Sequence, residues 1–255
     1  MPHLGTQTMP SVLGISSSPR LKSSAAIFES LSGTMLQGLL EKIQELSGFR
    51  VEAVHLSLLK IHPCRGCFSD METRCHFLCD CYDDDFKMIA GKMMAADGII
   101  FATPTYMFGM TSVLKKFLER WISFKAPRID QGEANKSLDE CFDLLHRLDD
   151  GTLDASNPLK GKVGALVVAG SELGQDNVIR ELMMLLNLYG FVFPPQAFVY
   201  HTGHSMQSLE EVRRVFYENK WLEAATETLA HNFVQMVRLT RKTRWHEIPR
   251  TLVQE

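Results

Sequence analysis

Two nearly unbroken apolar runs dominate the chain, Gly98 to Thr103 (GIIFAT) and Val163 to Ala169 (VGALVVA). Runs without alternation are what central parallel strands, covered on both faces, require. A third run, Ser11 to Ser16 (SVLGIS), is followed by a Ser-rich turn and then by Ile27, Leu31, Met35, Leu39 and Ile43 at helical spacing. Val51 to Leu59 instead alternates Val54, Leu56 and Leu58 with His55 and Ser57, which predicts a sheet-edge strand with one face near water. Asp83, Asp84 and Asp85 stand where a helix start favours negative charge, ahead of an apolar stripe of Phe86, Ile89 and Met93. Between the two long runs, Thr111 or Ser112 caps a helix with Val113, Leu114, Phe117, Leu118 and Trp121 inward. Its predicted solvent face carries Lys115, Lys116, Glu119 and Arg120. A helix around Val178 to Leu188, a strand-like stretch from Phe191 to Tyr200 broken by Pro194 and Pro195, and a long helix over about 209–239 complete the pattern.

Strands alternating with helices predict a parallel sheet with right-handed crossovers, and five strands with a half-exposed second one fit the order 2-1-3-4-5. One α/β domain spans residues 1–255, with a cysteine-rich loop at 62–82 and a polar insertion or lid at 125–160, in which Leu138, Phe142, Leu145 and Leu148 allow a short helix. In this order the chain reverses direction between strands 1 and 3, and ligands bind at that reversal. The loops after Ser16 and after Thr103 are therefore nominated by topology alone.

Composition narrows the function. With 27 basic against 30 acidic side chains and a net charge of -3, nothing resembles the basic footprint of a nucleic-acid binder. No apolar run approaches the ~20 residues that cross a bilayer, and Met1 to Pro10 lacks the features of an export signal. Of the 6 cysteines all but Cys141 fall between Cys64 and Cys81, and local clustering in a large domain points to metal or redox chemistry in a reducing compartment. A cytoplasmic protein acting on a small molecule, without nucleic-acid or membrane partners, is expected.

The first nominated loop, Ser16-Ser17-Ser18-Pro19-Arg20-Leu21-Lys22-Ser23-Ser24, offers hydroxyls, amides and a guanidinium to a terminal phosphate. It lacks the Gly-x-Gly-x-x-Gly of a dinucleotide turn, and Leu58, Leu59 and Lys60 stand where an acidic residue would hold a ribose, so a monophosphate fits better. The plain alternative is a turn that only caps its helix. The second loop, Pro104-Thr105-Tyr106-Met107-Phe108-Gly109, places aromatic and apolar side chains beyond a buried strand, where Tyr106 or Phe108 can cover a flat ring and amides near Gly109 can bond its edge. Packing is the alternative here.

Together the loops resemble the flavin mononucleotide (FMN) site of the flavodoxin-like NAD(P)H-dependent FMN reductases. Gly14 to Ser24 matches the phosphate turn, and Pro104 to Gly109 with Leu114, Lys115, Phe117 and Arg120 matches the ring loop and its helix. The resemblance covers roughly the first two thirds of the chain and extends to a third loop, Gly170-Ser171-Glu172-Leu173-Gly174. It implies a three-layer flavodoxin-like sandwich with FMN held by Ser16, Ser18, Arg20, Ser23, Ser24, Pro104, Thr105, Tyr106, Met107, Phe108, Gly109, Gly170 and Ser171. It further implies NAD(P)H as electron donor, a flavin, quinone or similar small acceptor, and a homodimer or homotetramer, for which the apolar positions Leu209, Val212, Phe216, Leu222, Leu229, Phe233 and Val237 offer surface. Ser23-Ser24-Ala25 departs from the family's usual Asn and Thr or Ser, and 125–160 has no counterpart in its shortest members. The flavin carries the chemistry, so no catalytic acid–base pair is needed; His201 and His204, past the last strand, are read as surface or interface residues.

Cys64-x-x-Cys67 with Cys75, Cys79 and Cys81 supplies more than the four thiolates that a tetrahedral zinc or a [4Fe-4S] cluster takes. The position resembles the compact motif of the iron–sulfur flavoprotein branch, although Asp70 occupies the expected third cysteine position and the later spacing is longer. That branch suggests an electron-transfer carrier as the alternative function. Reduced thiols, or a disulfide formed on handling, are the alternative to metal.

Overall fold

In a computed structural model the described residues are 8–20, 30–67, 75, 77–124, 157–171, 173–203 and 208–243. Five parallel strands, β1 (Ser11–Ser16), β2 (Arg50–His55), β3 (Gly98–Pro104), β4 (Val163–Gly170) and β5 (Phe198–Thr202), pair in the order β2-β1-β3-β4-β5. This is the order expected, with β2 and β5 at the edges.

Each central strand is apolar on both faces because each face has its own helical layer. Ile100 and Ala102 of β3, with Val163, Ala165 and Val167 of β4, pack against α1 (Leu31–Ser47), α5 (Leu209–Glu218) and α6 (Lys220–Thr243). Ile99, Phe101, Leu166 and Val168 face α2 (Phe86–Ala95), α3 (Ser112–Glu119) and α4 (Gln175–Leu188). The chain is thus a flavodoxin-like three-layer sandwich. Gly98 lets α6 approach the sheet, since a Cβ there would lie 2.5 Å from Cζ of Phe233.

Several boundaries differ from expectation for identifiable reasons. The alternation that suggested a strand to Leu59 ends at His55; Leu56–Leu58 form a 3-10 turn, with Leu59 N donating to Leu56 O. Pro194 and Pro195 lack amide donors, so between Phe191 and Tyr200 only Phe198 onward joins the sheet, apart from a single bridge at Val192. The long final helix is two helices broken at Asn219, whose Oδ1 accepts from the amides of Trp221 and Leu222 and starts α6 afresh. Val212, Phe216, Leu222, Leu229, Phe233 and Val237 are all buried within the chain, so they are core against α1 and the sheet rather than a free interface. Arg120 also departs: instead of facing solvent it is fully buried.

Some expectations fall outside the described residues: the helix start at Ile27, the side chain of Leu209, His204, and the insertion over 125–156. No described helix is long and apolar enough to cross a membrane.

Candidate functional site

The crevice is built where β1 and β3 end side by side, with Ser16 opposite Ala102, and where Pro104 of β3 meets Ala169 of β4. Beyond β1, Ser16, Ser17 and Ser18 stay buried. Ser17 N donates to Ala102 O at 2.9 Å, Ser18 Oγ accepts from Arg20 N at 3.2 Å, and Ser18 O accepts from Ser57 Oγ at 2.5 Å. The turn is therefore fixed by its own backbone and by the β2 side of the sheet, while the Arg20 side chain is exposed. Ser23 and Ser24 lie outside the described residues.

Beyond β3, Thr105 N donates to Ala169 O at 2.9 Å, and Tyr106 and Gly109 exchange two backbone hydrogen bonds, of 2.9 and 3.0 Å. The two residues between them, Met107 (φ 47°) and Phe108 (φ 62°), are both in the left-handed region. Tight hairpins favour that geometry but ordinarily fill it with Asn or Gly, because a side chain there costs roughly 1–2 kcal/mol. Here it is filled by Met107 and Phe108, which are 83% and 57% exposed, beside Tyr106. Backbone strain that holds apolar side chains in water makes this turn the candidate ligand surface.

The third loop braces this turn from the β4 side. Gly174, at φ 112°, lies so close that a Cβ would sit 2.8 Å from Phe108 Cα, and Gln175 Nε2 donates to Gly170 O at 3.3 Å. Gly170 is itself backed against Thr105, and Ser171 and Leu173 are exposed at the rim. Two buried hydroxyl oxygens here, Ser16 Oγ and Thr105 Oγ1, have no hydrogen-bond partner among the described residues. Buried polar atoms without partners are costly. A phosphate-tailed flat ring spanning the two loops supplies polar partners at the strand ends and an apolar face for Tyr106, Met107 and Phe108, so these residues fit FMN.

A second constellation lies beyond β2. Cys64, Cys67, Cys75, Cys79 and Cys81 line one cavity together with Arg65, Arg120 and Ile122. All five thiols are free, and Cys67 Sγ and Cys81 Sγ are 3.4 Å apart. Burial, then the neighbouring sulfurs, push Cys75 up to about 12; burial, then the hydrogen bond to Cys67, push Cys81 up to about 12 as well. Thiols crowded out of water and against one another resist ionising unless a cation joins them. Among the described residues no three such ligands already stand in metal-holding geometry, so closure around a metal requires the sulfurs to move. The soft, all-thiol donor set itself fits an iron–sulfur cluster or zinc.

Two aspartates clamp the neck of this loop. Asp84 Oδ2 accepts from His62 N at 2.9 Å, Asp85 Oδ2 accepts from Lys60 N at 2.8 Å, and Asp85 N returns a bond to Lys60 O at 2.9 Å. Asp84 also pairs with Arg120, both side chains being buried. Burial alone would raise the Asp84 carboxyl, but the amides of His62 and Phe86 and the Arg120 guanidinium outweigh it and hold the group below its usual range. Arg120 thus emerges as a site residue that charge-based reading assigned to solvent. Its signal was positional: it lies three residues after Phe117 and four before Phe124, on the buried stripe.

The chain is similar to proteins already known. The family model described as NADPH-dependent FMN reductase matches residues 10–205. The iron-sulfur flavoprotein of Methanosarcina thermophila is 30% identical over 183 residues, covering 71% of this chain and 75% of that protein. The iron-sulfur flavoprotein MJ1083 of Methanocaldococcus jannaschii is 32% identical over 110 residues, 43% of this chain and 50% of its own length. Among solved structures, RosB with the bound intermediate 8-demethyl-8-formylriboflavin-5'-phosphate superposes with a TM-score of 0.66 at 16% identity, covering 93% of this chain and 82% of that one. A flavone reductase gives 0.55 at 19% identity, over 89% and 63%. At such identities the two structures speak to the fold.

Proposed function

The chain belongs to the NADPH-dependent FMN reductase family, and from that premise we propose how its own residues serve an FMN-dependent oxidoreductase. Ser16, Ser18 and Arg20, with Ser23 and Ser24, hold the phosphate tail. Pro104, Thr105, Tyr106, Met107, Phe108 and Gly109 hold one side of the ring, and Gly170 and Ser171 close the crevice beside it. Bound FMN supplies hydride acceptance from NAD(P)H and electron delivery to a small acceptor such as a flavin or quinone. The protein's part is to orient the ring, exclude water from its buried edge and offer hydrogen bonds from fixed backbone positions.

The observation that carries this reading is the left-handed Met107-Phe108 turn, braced by Gly174 and presenting apolar side chains at the switch point of the sheet. FMN titration of Arg20→Ala and Ser18→Ala tests it. Each loses a contact worth about 1–3 kcal/mol, so affinity should fall by roughly 5- to 150-fold. Unchanged FMN affinity in both variants would refute the phosphate turn.

The cysteine cavity favours one addition. Cys64, Cys67 and Cys75, completed by Cys79 or Cys81, hold a [4Fe-4S] cluster or zinc; the names of the similar proteins support iron–sulfur. Such a cluster supplies one-electron storage beside the flavin, and the second reading is accordingly an electron carrier served by a protein donor. Flavin absorption alone with rapid NAD(P)H turnover supports the reductase. A broad shoulder bleached by dithionite, near-stoichiometric iron and slow NAD(P)H turnover support the carrier. The free thiols suit a reducing, cytoplasmic setting. With the α5 and α6 stripe spent inside the chain, a homodimer or homotetramer would use another surface, such as the exposed rings of Tyr200 and Trp221.

A further inference from the structure

Arg120 is the largest charged side chain buried in the described structure, and every face of its guanidinium is occupied. Nη1 pairs with Asp84, Nε donates to Cys79 Sγ at 3.3 Å, Nη2 donates to Cys79 O at 3.3 Å, and Cζ lies over the Phe86 ring, 4.2 Å from its centroid. A planar fork satisfies a carboxylate, a sulfur and a carbonyl at once from fixed directions over an aromatic ring; an ammonium keeps the charge and part of this bonding but not the fixed geometry. Charge neutralisation of Asp84 alone would not call for the two bonds to Cys79. Arg120 also follows directly on α3, the helix capped by Thr111 just beyond the ring loop, so one rigid element runs from the flavin crevice to the cysteine cavity.

We infer that Arg120 is the positioning residue of the cysteine cavity: it fixes Cys79 as a cluster ligand and places a permanent positive charge against that ligand's sulfur. This rests on the reading of the cavity as an iron–sulfur site. Hydrogen bonds to ligand sulfurs and a nearby cation favour the more negative, reduced state of a cluster, so Arg120 raises its reduction potential. The charge on Asp84 offsets part of that effect, but among the other described residues lining the cavity only Arg65 carries a comparable donor.

The test is a redox titration followed by electron paramagnetic resonance, with iron and sulfide analysis, on anaerobically prepared full-length protein. Three variants are compared: Arg120→Met, Arg120→Lys, and Arg120→Met combined with Asp84→Asn, which leaves no uncompensated buried charge and guards against misfolding of the single change. The expected result is a reduction equilibrium at least tenfold less favourable without the guanidinium, a fall of about 59 mV for a one-electron couple, with Arg120→Lys between that value and wild type. Loss of iron with FMN binding retained, repaired by Arg120→Lys, supports the same role. An unmoved potential in a variant that keeps its iron overturns the inference, as does iron loss that lysine does not repair. Wild-type protein that takes up no iron removes the cluster reading itself and the inference with it.

Discussion

His55 closes β2 at the carboxyl rim and is only 6% exposed. Burial disfavours its charged form and pulls the imidazole from 6.5 down to about 4. Below pH 6.5 the unfolded chain binds a proton that the folded chain refuses until about pH 4. This histidine's contribution is therefore full above pH 6.5 and is lost as the pH falls towards 4, by roughly 3 kcal/mol in all. Urea denaturation of wild type and His55→Asn at pH 7.5 and 4.5 isolates the effect from the carboxylates that titrate in both proteins. The wild type should lose more stability than the variant across that interval by a margin of this order; equal losses would mean that the folded state accommodates the imidazolium.

At the scale of an element, the Tyr106–Gly109 hairpin trades stability for surface. Replacing Met107, at φ 47°, by Gly removes the left-handed penalty and should stabilise the flavin-free protein by about 1 kcal/mol, raising its melting temperature. The same change deletes apolar cover for the ring, so FMN affinity should fall several-fold, a combination that neither simple packing nor an idle loop produces. This turn also shows where sequence reading stops. The strands were legible because burial on two faces forces unbroken apolar runs, and the start of α3 was legible as Thr111 or Ser112, of which the structure uses Thr111, whose hydroxyl accepts from Leu114 N. Met107-Phe108 carries no Asn or Gly to announce positive φ; its conformation is imposed by the closing bonds between Tyr106 and Gly109 and by Gly174 behind it. The end of β2 and the break at Asn219 were hidden for a related reason. Their apolar spacing continues through the irregularity, and only the hydrogen bonds reveal it. Arg120 is hidden because its charge predicts a solvent position, whereas in the structure it shares the buried stripe of Phe117 and Phe124.

For the molecule as a whole, the question is how far the two centres depend on each other. They occupy neighbouring positions on one rim, since the cysteine loop follows β2 and the phosphate turn follows β1, its partner in the sheet. Ser57 Oγ donates to Ser18 O and so joins the two loops directly, and Ser57 lies before the clamps that Asp85 and Asp84 place on Lys60 and His62. Rearrangement of the loop beyond those clamps leaves Ser57 in place, and the bonds that shape the flavin turns run to Ala102 and Ala169 within the sheet. Cys64→Ser should therefore lower metal content, by direct analysis, while FMN affinity stays within about twofold of wild type, because removing one thiolate deprives the cluster of a ligand and touches none of those bonds. Melting should then lose the increment that metal contributes to the native state, and chelation of the wild type should produce the same loss. If FMN and metal disappear together, the aspartate clamps do not isolate the loop, and the rim folds as one unit around both groups.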